Sequence, residues 1–158
     1  MKTANDPRRP MFRMAMPPSH TAVLAFFCMS AFAYAEEPSY RLRSRDMGIQ
    51  AFDLTVTETK RTARTSTLNV PGFHSRTAPA SRWLMCVYTD LALKRGANFW
   101  TVIYPQPPGE DLIVGFPASE TENLVETLGG EFATKEKVGP APVEKFAVFC
   151  GIKPPPGK

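Results

Sequence analysis

From Gly48 to Thr59 apolar and polar positions alternate. Phe52, Leu54 and Val56 fall on one side, and Asp53, Thr55 and Thr57 on the other. A period of two predicts a half-buried strand. From Ala80 to Arg95 the spacing becomes helical, and nine of the 11 residues from Trp83 to Leu93 are apolar. Pro79 precedes this helix, Lys94 and Arg95 occupy its last turn, and Gly96 stands just past its end, all expected boundary signals. Leu84, Val87, Tyr88 and Leu91 form its main stripe, while Cys86 and Leu93 fall on nearly the opposite side. A helix apolar on two sides is expected to be covered on both.

Two short apolar runs follow, "FWTVIY" from Phe99 to Tyr104 and "LIVGF" from Leu112 to Phe116, joined by the loop "PQPPGED". Both read as strands. Ser119 and Glu122 have capping-box spacing and predict a short helix to Leu128, stopped by Gly129 and Gly130. The last predicted strand is "VEKFAVFC", Val143 to Cys150, with Phe146, Val148 and Cys150 sharing a face. Pro79, Pro105, Pro117 and Pro142 all fall at boundaries of these elements, where a missing N–H is tolerated. The resulting order is strand–helix–strand–strand–helix–strand, the ferredoxin-like βαββαβ order. The expected class is therefore α+β, a two-layer sandwich of an antiparallel sheet and two helices. In that order Cys86 and Cys150 are not obvious neighbours, so a bond between them requires another sheet order or a last segment that crosses the helix.

The polar segments matter as much. Residues 36–47 read as a linker or weak edge segment, with Arg41, Arg43 and Arg45 alternating with Leu42 and Ser44. Residues 60–79 form a long basic stretch with room for a short strand near Ser66–Val70. A loop of this length in a compact domain is usually functional or mobile. If the protein binds through a flexible segment, this stretch is the first place for it. Arg61, Arg64, His74 and Arg76, with Arg82 and the Trp83 and Trp100 end, make the candidate binding surface. For the aromatic residues, core filling is the simpler expectation.

Thr21 to Ala35 is the least polar stretch, but at 15 residues it is shorter than the roughly 20 needed to span a bilayer. A basic lead (Lys2, Arg8, Arg9, Arg13), the apolar run and Ala33-Tyr34-Ala35 together make a secretory signal cleaved after Ala35. A start at Met11 would give it a more ordinary lead, and Arg8-Arg9 matches a twin-arginine signal poorly. Phe27 directly before Cys28 argues against a lipid-anchored cysteine. Export sets the domain plan as a signal at 1–35, a linker at 36–47, one domain at 48–151 and a Pro-rich tail at 152–158.

Cleavage changes the charge. The full chain carries +4, whereas residues 36–158 hold 15 Lys and Arg against 14 Asp and Glu. The basic pI is then no argument for nucleic acid. Residues 41–82 hold eight basic and three acidic side chains, and residues 110–144 hold eight acidic and two basic. Two solvated faces of opposite sign, attracting each other within the fold, are the simplest account. Cys86 and Cys150 are then an even pair in an oxidising compartment, most simply a disulfide. The loop it closes is worth roughly 4 kcal/mol in the chain-entropy picture.

Little in the chain announces a reaction. His74 is the sole histidine beyond the signal, and a closed zinc site needs four ligands. No spacing selects a triad from His74, Ser75, Ser81 and Asp53, and Glu110-Asp111 reads as a solvated turn. No cofactor is expected. The segment "DLALKRGANFWTVI", Asp90 to Ile103, resembles a unit of small exported bacterial envelope domains, among them uncharacterised lipoproteins and, more distantly, the RcsF stress-sensor domain. The chain lacks the lipidated cysteine usual there and most of the sensor's cysteines. The resemblance implies a non-enzymatic periplasmic domain. The expected function is a periplasmic or secreted, non-catalytic binding or envelope-associated module, its partner another envelope protein, with no nucleic acid and no membrane span after cleavage. The alternative is a small periplasmic enzyme or ligand-binding protein using the 60–79 loop.

Overall fold

The computed structural model describes residues 40–104, 109–134 and 137–153. The predicted signal, the prolines of the 105–108 loop and the end of the tail lie outside the described residues. The strands are β1 (Arg41–Arg43), β2 (Thr55–Arg61), β3 (Thr65–Asn69), β4 (Phe99–Ile103), β5 (Asp111–Gly115) and β6 (Lys137–Pro142). The α-helices are α1 (Ala78–Lys94), α2 (Leu124–Leu128) and α3 (Val143–Phe149), with 3-10 turns at Ser44–Met47, Phe73–Ser75 and Gly130–Ala133. All strands join one antiparallel sheet in the order β1-β2-β3-β5-β4-β6. The class is α+β. The order along the chain, β-β-β-α-β-β-α-β-α, is not βαββαβ.

Alternation decides which side of each strand is dry. Leu54, Val56, Leu68, Trp100, Val102, Leu112 and Val114 are buried in one core with Leu84, Val87, Tyr88 and Leu91 of α1. Thr77 caps α1, its hydroxyl accepting the Ala80 N–H at 3.4 Å, with Pro79 in the first turn. Gly96 ends it at φ 67°, a left-handed conformation that glycine adopts without a Cβ penalty. Gly115 alternates with Leu112 and Val114 and lies against a second, smaller cluster. A Cβ there would stand 2.5 Å from Leu128 Cδ1 and 2.8 Å from Phe132 Cζ, so glycine lets α2 and the following turn close over β5.

Four sequence expectations need correction. Residues 143–149 are helix α3, not a strand: Val143 and Ala147 are buried and Phe146 packs on the core, while Val148 is 75% exposed. The spacing i, i+3, i+4 therefore describes the segment, and the period of two counted an exposed valine as inward. The strand lies just before it as β6, which bonds only to β4. That edge position tolerates Pro140 and Pro142 inside a strand. Residues 60–79 are not a long loop, since β2 runs to Arg61, a turn at 62–64 leads into β3, and a 3-10 turn follows. The 36–47 segment, expected as a linker or weak edge segment, contributes the three-residue edge strand β1. Finally, α2 starts at Leu124, capped by the Asn123 side chain, and Ser119 does not cap it.

These corrections remove the difficulty with the cysteines. Cys86 on α1 and Cys150 at the end of α3 are bonded, with S–S 2.03 Å. Helix α3, rather than a crossing strand, covers the second side of α1.

Candidate functional site

The chain reverses at both ends of β3, and helix α1 runs back between those ends. Each end gathers charged and aromatic side chains, and the two collections differ.

At the β2–β3 turn stands Glu58, fully buried on the dry face of β2. Arg61 donates to both its oxygens, at 2.9 and 2.5 Å, and the Ser66 hydroxyl donates at 2.6 Å. Arg95, just past α1, lies 3.8 Å from the same carboxylate and donates to Ser66 Oγ at 3.2 Å and to the Ala63 carbonyl at 3.0 Å. Its guanidinium sits 4.8 Å over the Phe116 ring. Arg64 donates to the Phe116 carbonyl and, at 2.7 Å, to Glu122. That bond, with backbone N–H groups of Ala118 and Ser119, holds the Glu122 carboxyl below its usual range. Arg64–Glu122 joins the basic and acidic blocks of the sequence. Arg61 and Arg64 of the candidate surface are thus committed to holding the turn together.

At the other end Arg76 stacks 3.7 Å above the Phe73 ring and 5.6 Å from that of Tyr104, and Nη1 donates to the Phe73 carbonyl at 2.8 Å. Among the described residues no carboxylate comes within 4 Å of it. Phe73 and Tyr104 stack with centroids 5.6 Å apart, and His74 packs edge-on against Phe73. Nearby Tyr88 is fully buried, and among the described residues its hydroxyl has no hydrogen-bond partner. Burial pushes the Tyr88 and Tyr104 hydroxyls upward, with the Arg76 charge pulling the other way. Both remain protonated donors at neutral pH. Beside Arg76 opens a cavity of about 230 Å³, walled by Phe52, Leu54, Pro71 and Ala80 with Ser75 at its polar side.

The remaining candidates separate. Arg82 is exposed on α1. Trp83 is 6% exposed and its indole N–H reaches Met47 Sδ at 3.2 Å; Trp100 is fully buried and donates to Thr89 Oγ1 at 3.1 Å. Both tryptophans belong to the core. His74, Ser75 and Asp53 do not connect: His74 Nε2 contacts the Gly109 carbonyl, Ser75 donates to the Gly72 carbonyl, and Asp53 accepts from Arg43. Glu110 is no free turn residue either, for its carboxylate accepts the Gly72 N–H at 2.7 Å. Sequence reasoning missed Glu58, yet the signal was present. The alternation that turns Leu54 and Val56 inward reaches Glu58 next.

Among the described residues no three His, Cys, Asp or Glu side chains are grouped to hold a metal ion, and no helix is long and apolar enough to cross a membrane. The geometry defines an α+β domain closed by one disulfide, with a satisfied ionic cluster at one end and an unpaired arginine beside a cavity at the other. Compared with known proteins, the chain matches no family model, no curated protein and no solved structure.

Proposed function

We propose that the protein is an exported, disulfide-closed binding module of the cell envelope, acting through its surface rather than through catalysis. The observation that carries this is the Cys86–Cys150 bond, because such a cross-link persists in oxidising compartments and is rare in reducing ones. The signal-like pattern of residues 1–35 and the resemblance of Asp90–Ile103 to exported envelope domains support the same compartment. Binding is favoured at the Arg76 end, since the polar groups of the turn end already satisfy one another. Recovery from the periplasmic fraction, with intact mass measured under non-reducing conditions, tests the address: the expected species lacks residues 1–35 and has no alkylatable thiol. A full-length cytosolic species with free thiols would refute it. Cross-linked capture from a periplasmic extract tests the binding role, with a partner expected that is lost on His74→Ala combined with Arg76→Ala. An extract that yields none refutes that role.

A further inference from the structure

Among the described residues the half-buried Arg76 has no carboxylate within 4 Å; Lys137, also half-buried, is held by the Phe132 and Thr134 carbonyls. The exposed Arg41 and Arg82 are solvated and need no counter-ion. Arg76 is half-buried, and taking a cation out of water without a carboxylate costs free energy unless another anion compensates. Its position is fixed all the same. Stacking on Phe73 and one bond to the Phe73 carbonyl hold it, leaving most of its five donors unused. It lines the cavity of about 230 Å³ at the start of α1, where the helix end adds positive potential.

One acidic side chain, Asp53, also lines this cavity, but it already accepts from Arg43 at 2.9 and 2.7 Å and lies 3.8 Å from Arg45. Glu110, on the neighbouring loop, is held by the Gly72 N–H. Of the two charged residues that line the cavity, Asp53 is ion-paired and Arg76 is not, and Arg76 stands beside an apolar wall of Phe52, Leu54, Pro71 and Ala80. It is smaller than the sites of about 300–1,000 Å³ that take drug-sized ligands. We propose that it binds a small organic carboxylate, the carboxylate pairing with the Arg76 guanidinium and a compact apolar body resting on that wall. The guanidinium fork pairs with carboxylate and phosphate alike, and the apolar wall selects between them, since an organic acid covers it and inorganic phosphate does not. The inference rests on the reading of the protein as a binding module and specifies a ligand class for it.

The test is a two-dimensional amide NMR titration of the full chain with sodium benzoate, cyclohexanecarboxylate, benzamide and inorganic phosphate. Benzoate or cyclohexanecarboxylate is expected to shift the amides of Gly72, Ser75, Thr77 and Ala80 saturably. Benzamide should bind at least about tenfold more weakly, the loss of one charge-assisted pair, and inorganic phosphate should also bind at least about tenfold more weakly, because it leaves the apolar wall uncovered. R76Q should lose about the same factor, R76K should retain part of the affinity, and R82Q, at an exposed position on α1 outside the cavity lining, should retain all of it. Circular dichroism checks that each variant is folded. The site is overturned if neither acid saturates those amides, if benzamide or phosphate binds as tightly as the acids, or if R76Q leaves binding unchanged. The result is separable from the partner capture: an empty cavity in a protein that captures a partner removes the ligand class and keeps the module. A filled cavity without a partner does the reverse.

Discussion

Arg95 and Arg76 stand near opposite ends of one helix, and both lie over aromatic rings. There the likeness stops. Arg95 lies beside a buried carboxylate, a hydroxyl and two backbone carbonyls, so the charge removed from water is answered inside the protein. Arg76 has a ring and one carbonyl. The turn end is therefore a closed account of donors and acceptors, which rigidifies the β2–β3 turn against the end of α1. The other end keeps donors in excess beside a cavity. Paired and unpaired charge are placed at different ends of one helix, a division the two unlike loops around β3 make feasible.

The largest effect should come from breaking the closed end. Glu58→Ala leaves Arg61 and Arg95 in a partly dry site without their carboxylate, and losing one partner of a buried ion pair costs about 3–5 kcal/mol. Urea unfolding should show a large fall in the midpoint. Arg76→Gln should shift the same midpoint far less. Equal losses would mean that the two ends are built alike.

Opening the disulfide should come next. Replacing Cys86 and Cys150 together by serine frees a loop with a sequence separation of 64 and should cost roughly 2–4 kcal/mol. The loss should appear first in α3. A helix of seven residues is marginal by itself, and among its residues Val143 and Ala147 are the buried ones. Hydrogen exchange under reducing conditions should reach Val143–Phe149 before the β3–β5 ladder. Simultaneous loss of both would show that α3 is integral to the core rather than clasped to it.

The tyrosines give a smaller and more pointed contrast. Tyr40 donates to Asp90 at 2.9 Å, while the Tyr88 hydroxyl donates to nothing. Tyr40→Phe should cost about 1 kcal/mol, the usual worth of a satisfied bond. Tyr88→Phe should be neutral or stabilising by about 1 kcal/mol, because an unsatisfied buried hydroxyl carries a desolvation cost that the phenyl ring avoids. Thermal unfolding of the two variants should thus move in opposite directions. A destabilised Tyr88→Phe would mean that the hydroxyl has a partner, such as a buried water, in solution.

How far the sequence foretold this arrangement depends on how local its signals were. Helix α1 was legible nearly to the residue, because Pro79, Gly96 and the stripe from Leu84 to Leu91 agree with its packing. The inward face of β2 was legible from its alternation, whereas β4 and β5 were legible as strands but not in their faces. Residues 137–150 were not. A segment of two prolines and a glycine has no strand propensity, and becomes β6 only because an edge place beside β4 was vacant. With that place taken, the seven residues after it could only be short helix α3. The binding surface was half legible: the basic residues of 60–79 were noticed, but composition does not tell which are neutralised. Arg61 is answered by Glu58 three residues back on the same strand, but Arg64 is answered by Glu122, 58 residues on, and only the fold brings that pair together.

The smallest effects concern two carboxyls, the exposed Asp53 at one end and the half-buried Glu122 at the other, and they refine the contrast. Arg43 holds the Asp53 carboxyl below its usual range chiefly by hydrogen bonding, with the Arg45 charge a lesser contribution. Arg64 does the same for Glu122, where the N–H groups of Ala118 and Ser119 add their own bonds. In each case the folded state binds the proton less tightly than the unfolded chain. The resulting stabilisation is complete above the ordinary carboxylate range and is lost as pH falls through the depressed folded values. Arg43→Ala should therefore return Asp53 almost to its ordinary titration, because only the Arg45 charge remains. Arg64→Ala should leave Glu122 still depressed, because backbone donors do not leave with a side chain. Carboxyl NMR titrations of the two variants read this directly, and urea midpoints at neutral and acid pH should differ from wild type only at neutral pH. If Glu122 rebounds further than Asp53, the turn end is held by side chains alone and the contrast between the two ends loses its backbone component.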